Sequence, residues 1–114
     1  MSQKLELPSY ADINAEEMAA KIGLNAKHIP ILVQSFIDEG TQIIASLEAA
    51  IAQKDYPEIG NTAHSIKGSS GNLKFDAMYE LAKEVELSAK AANGDYPYEA
   101  ACASLKNAIL SIKL

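Results

Sequence analysis

Of the two histidines in this chain, His28 and His64, only His64 has neighbours that suggest chemistry. A neutral imidazole is nucleophilic near physiological pH, so a histidine held out on a rigid element can accept and release a transferable group. On a helix, the residues that line up beside His64 are Gly60 at i−4, Gly68 at i+4 and Gly71 at i+7. An interior glycine costs about 1 kcal/mol of helix stability relative to alanine, so three of them around one imidazole make poor structural sense. They make better sense if another protein's surface must approach the ring, because glycine leaves no side chain in the way. Lys67, at i+3, supplies a cation within reach of a negatively charged group on the ring. An isolated surface histidine or lysine is ordinarily just solvated. The combination sets this one apart.

Other chemistries are poorly supplied. Cys102 is the sole cysteine, which excludes an intrachain disulfide framework and a cysteine-based metal site. No Glu-x-x-His sequence occurs, so a bundle holding two irons would lack its ligands. Lys67-Gly68-Ser69 is similar to the end of a phosphate-binding loop, but the preceding strand and leading glycine are missing. His28 lies near a helix start and reads as a surface residue. A net charge of −5 argues against nucleic acid as a partner, since phosphate contacts need clustered Lys and Arg. No apolar run approaches the roughly 20 residues needed to span a bilayer, and no signal-peptide pattern is present. A reducing cytoplasm is the expected setting.

The elements that must position His64 are helical. Residues 1–11 lack a helical period and are expected to form an N-terminal arm, leaving 12–114 as one domain. Asn14 followed by Glu17 has capping-box spacing, and Gly23 can close a short helix over 15–22. A longer helix follows over roughly 26–53, with Ile29, Val33, Phe36, Ile44, Leu47 and Ile51 at three- and four-residue spacing. Asp55, Pro57 and Glu58 announce a third helix, with Gly71-Asn72 as its stop. Asp76 is the expected cap of a fourth, ending at Asn93-Gly94, and Asp95-Tyr96-Pro97 opens a last one. The fold class expected is all-α: an antiparallel up-and-down four-helix bundle with a short accessory N-terminal helix. Cys102 falls on the apolar stripe of the last helix, and Tyr56, Tyr96 and Tyr98 are expected to pack at a bundle end.

Successive residues of the third helix project roughly 100° apart. Ile59, Thr62, Ala63, Ile66, Ser70 and Leu73 then gather on the core side. Gly60, Asn61, His64, Lys67, Gly68 and Gly71 gather opposite, placing His64 near the middle of a face expected to be exposed.

The stretch Ala63-His64-Ser65-Ile66-Lys67-Gly68-Ser69-Ser70-Gly71-Asn72-Leu73 resembles the signature of the histidine-containing phosphotransfer (HPt) family. Similarity extends over roughly 26–113 and includes Phe36, Leu47, Leu81, Glu86, Ser88 and Ala89. The resemblance implies a phosphorelay intermediate in two-component signalling, with His64 as phosphoacceptor, Lys67 as charge stabiliser and Gly68 as the gap for the partner. Gly60, Asn61 and Gly71 would complete the docking face. The implied partner is a response-regulator receiver domain, a hybrid sensor histidine kinase, or both. No cofactor is expected on this chain, because the Mg²⁺ belongs to the receiver, and no autonomous kinase activity is implied. The family often has glycine where this chain has Lys74, so the turn after the third helix is expected to differ. The chain opens at Met1 and ends just past the last helix, the pattern expected of a free-standing carrier, and a monomer is expected. The alternative is a non-catalytic helical module that binds a receiver or kinase without carrying phosphate.

Overall fold

A computed structural model describes residues 6–113. Those residues form five α-helices and one 3-10 turn, with no strand among them. Helix α1 spans Ala15–Ile22; the Asn14 side chain accepts hydrogen bonds from the Glu16 and Glu17 N–H groups, and Gly23 closes it in the left-handed region at φ 76°. After the 3-10 turn Ala26–His28 comes α2, Ile29–Ala52, where Pro30 sits in the first turn and loses no helical hydrogen bond. Its buried positions are Ile29, Val33, Phe36, Gly40, Ile44, Leu47 and Ala50, the expected stripe with Gly40 added and Ala50 in place of Ile51, which is half-buried. A Cβ on Gly40 would lie 3.2 Å from Ile109 Cδ1, so this glycine admits a side chain from the last helix.

Helix α3 spans Tyr56–Asn72 and is capped by Asp55, whose carboxylate accepts from the Glu58 N–H at 3.2 Å. Helix α4 spans Asp76–Lys90 and α5 spans Tyr98–Leu110. The expected Asp76 cap is corrected: Phe75 holds the cap position, no side chain caps the helix, and Asp76 instead places a negative charge in the first turn.

Helix ends depart most from the expectation. Lys54, Lys74 and Ala92 occupy the left-handed region at φ 53°, 62° and 51°. In each case the next N–H reaches back 2.9 Å to a carbonyl of the final turn: Asp55 to Ala50, Phe75 to Ser70 and Asn93 to Ser88. Helix α4 therefore ends before Asn93-Gly94, and Lys74 rather than Gly71 reverses the chain after α3. The unusual residue at position 74 stands where glycine would be least strained.

Each long helix packs against two others, α2 on α3 and α5, and α4 on α3 and α5, closing a ring around the core. Helix α1 leans on α2 and the 3-10 turn. Ile44, Leu47, Ile66, Leu81 and Leu105 lie at its centre, fully buried. The expected arm, 1–11, is described from Glu6 onward, and there Leu7 and Tyr10 pack against the core edge. Tyr10 packs against Phe75 with ring centroids 4.8 Å apart, and Phe75 against Phe36 at 5.3 Å, both pairs tilted. At the opposite end Tyr98 meets Tyr96 at 5.0 Å and Tyr56 at 6.0 Å, forming the tyrosine cluster the sequence predicts. Cys102 is buried, and burial pushes its thiol up to about 11, an unreactive state.

Candidate functional site

Helix α3 buries one side and shows the other. Ile59, Thr62, Ala63, Ile66, Ser70 and Leu73 are all buried, as the helical projection requires. The hydroxyls of Thr62 and Ser70 turn back onto the carbonyls of Glu58 and Ile66, so their burial leaves no polar atom unpaired. The ring of His64 stands out from this side chain row with 66% of its surface exposed.

Facing it from α4 is Glu86, a carboxylate whose side chain is only 3% exposed. His64 Nδ1 lies 2.8 Å from Glu86 Oε2, Lys67 Nζ lies 2.7 Å from Oε1, and Lys90 Nζ lies 3.2 Å from Oε2. Burial disfavours the charged carboxylate, but hydrogen bonds from Lys67, Lys90 and His64 outweigh it and hold Glu86 at about 2. The Lys67 ammonium is raised in turn, chiefly by its hydrogen bond to Glu86.

This ionisation decides the state of the imidazole. An ionised carboxylate only accepts hydrogen bonds, so Nδ1 must carry the proton that it donates to Glu86. The lone pair of the neutral ring then belongs to Nε2, the nitrogen left free on the exposed ring. A buried acid one turn from Ala82 and Ala89 on the inner stripe of α4 was the available sequence signal for Glu86. Lys90, four residues further along, was legible as a helical partner of that acid.

Three expectations are corrected by the geometry. Lys67 does not point freely into solvent: its side chain is 22% exposed and tied to Glu86. Gly60 is buried at the contact with α4, where a Cβ would lie 3.8 Å from Ala89 Cβ and 4.0 Å from Lys90 Cγ, ordinary contact distances. Gly71 is half-buried, with Tyr79 Cδ2 3.1 Å from the position of a Cβ, so it makes room for Tyr79. Gly68 alone of the three opens onto empty space, and Asn61 is exposed on the other side of His64. Lys74 lines a different hollow with Tyr10 and Met18, at the α3 terminus.

A hollow of about 580 Å³ adjoins the imidazole, lined by Tyr56, Gly60, Asn61, Glu86 and Lys90 among others. His64 thus offers one nitrogen at the mouth of a concave, cation-edged surface. No group of three or more His, Cys, Asp or Glu among the described residues could hold a metal ion, and no helix among them is long and apolar enough to cross a membrane. A family model described as "Hpt domain" matches residues 31–112, well over half of the chain. No curated protein and no solved structure matches it.

Proposed function

Since this chain belongs to the Hpt domain family, we propose that His64 takes a phosphoryl group from, or passes it to, the aspartate of a response-regulator receiver domain. A phosphotransfer role in two-component signalling comes with the family, whose members are phosphocarriers rather than kinases. The observation that carries the finer reading is the His64–Glu86 hydrogen bond, because it leaves Nε2 as the nucleophile.

In the forward step the Nε2 lone pair attacks the phosphorus of the receiver's aspartyl phosphate. The P–O bond breaks, and the aspartate carboxylate leaves with its electron pair. Nδ1 keeps its proton, so the phosphorylated ring carries positive charge, which the Glu86 carboxylate offsets. Lys67 is the cation nearest in sequence for the phosphoryl oxygens. Gly68 and Asn61 form the floor over which the receiver approaches. The Mg²⁺ for the transfer is the receiver's, and this chain supplies only the acceptor and its charge balance. The four long helices serve as an up-and-down antiparallel bundle, a rigid support favoured by their closed ring of contacts and short connections. Receiver domains and hybrid sensor kinases are the partners for this role.

The test is transfer from receiver domains loaded with acetyl phosphate. The label should be acid-labile and base-stable, and absent from His64→Gln. A label retained in that variant would exclude His64. Receiver binding that survives His64→Gln, with no transferable phosphate in the parent, would instead identify a non-catalytic docking module.

A further inference from the structure

Glu86 has more cations than its own charge requires. Its two oxygens divide the work: Oε1 takes Lys67 at 2.7 Å, while Oε2 takes Lys90 at 3.2 Å together with His64 Nδ1. The two lysines differ in setting. Lys67 is 22% exposed and enclosed between the helices, whereas Lys90 is 65% exposed at the lip of the hollow beside His64.

Lys67 has two claims on it. A buried carboxylate that loses a compensating charge is disfavoured. If Lys67 turns to a phosphoryl group on His64, Oε1 of Glu86 loses its partner, and only the protonated Nδ1 of the ring and Lys90 remain, both on Oε2. With one lysine, only one positive charge would remain on the cluster after transfer. Two lysines and the cationic phosphorylated ring against Glu86 leave two positive charges, which match the charge of about −1.5 to −2 on the phosphoryl group. Because the lysines occupy different oxygens, one can turn away while the other holds the carboxylate.

Resting on the reading of His64 as phosphoacceptor, we infer that Lys90 is a positioning residue: it takes over compensation of Glu86 when Lys67 turns to the phosphoryl group. Lys90 acts through Glu86. Its long, flexible stem suits a handover between two oxygens of one carboxylate.

The inference separates from direct phosphoryl binding by a double-mutant cycle. The parent, Lys90→Met, Lys90→Arg, Glu86→Gln and the Lys90→Met/Glu86→Gln double variant would be loaded with potassium phosphoramidate, which needs no protein partner. The half-life of the phosphohistidine would be measured in each, with circular dichroism as the fold control; Lys90 is at the surface, so its variants fold. Lys90→Met is expected to shorten the half-life roughly fivefold, the scale of one partly exposed ion pair, and Lys90→Arg to restore it. In the Glu86→Gln background, where no buried charge needs compensation, Lys90→Met should have no effect. An equal loss in both backgrounds would mean that Lys90 touches the phosphoryl group itself, and would overturn the inference. So would a parental half-life in Lys90→Met. A parent that takes no label on His64 would overturn the underlying reading first, which is a distinct result.

Discussion

Gly60 and Gly68 stand one turn to either side of His64, yet Gly60 is packed under α4 while Gly68 faces open space. Equal spacing along a helix hides opposite roles. The first lies at the contact between two helices with room for a methyl group, and the second leaves open space one turn from the imidazole.

Replacing Gly68 by Gln should therefore leave the fold intact and raise helix stability by up to about 1 kcal/mol, while obstructing transfer to and from a receiver. Gly60→Ala should raise stability without slowing transfer, since its Cβ would meet Ala89 and Lys90 at ordinary contact distances. Thermal melts and transfer rates on both variants check this. A Gly68→Gln protein that transfers at the parental rate would dismiss the idea of a cleared approach.

Lys67→Ala should slow transfer and also weaken the fold. Solvent exposure would have made it structurally silent, but its removal takes a charge-assisted hydrogen bond from a buried carboxylate. Urea unfolding measures the second effect, and an unchanged midpoint would refute it.

Acid should expose Glu86. Its carboxyl titrates at about 2 in the folded chain, against an ordinary value of 4.5. Between those values the unfolded chain binds a proton that the folded chain refuses, so stability falls as pH falls. The contribution is complete above about pH 4.5 and is lost on acidification toward pH 2. Stability followed by denaturant across that range should show a shallower decline in Glu86→Gln than in the parent.

Lys74→Gly should stabilise the protein by about 0.5–1 kcal/mol, because φ 62° is strained for lysine and free for glycine. Calorimetry would register this as a melting temperature raised by a few degrees. A lower melting temperature would mean that the Lys74 side chain holds the turn by contacts that outweigh its backbone strain.

The helices were legible because each carries a regular apolar stripe and most carry a start signal: Asn14, Pro30 and Asp55 all stand where their chemistry predicts. Their ends were less so. Only α1 closes on glycine, whereas lysine or alanine takes the left-handed position after α2, α3 and α4, against its local preference. The site was legible as far as one helix could show it. His64, Asn61 and Gly68 face outward because α3 alone fixes that. Glu86 and Lys90 belong to α4, and which of their sides meets His64 depends on how two helices pack, as does the burial of Gly60. A helical projection has no second helix in it.

The backbone N–H of Lys113 donates to the Tyr10 carbonyl at 2.9 Å, and its own carbonyl accepts from Ile13 at 3.1 Å. A host chain carrying residues 10–113 as an insert would therefore enter and leave at one point, beside the Tyr10–Phe75 ring pair and away from the tyrosine-lined end. Domains with adjoining ends tolerate insertion and circular permutation. Such an insert asks little of its host beyond a loop wide enough for two strands of backbone. The face that carries His64 would then be free to swing on that one pivot, and the length of the flanking linkers would set how often a tethered partner meets it.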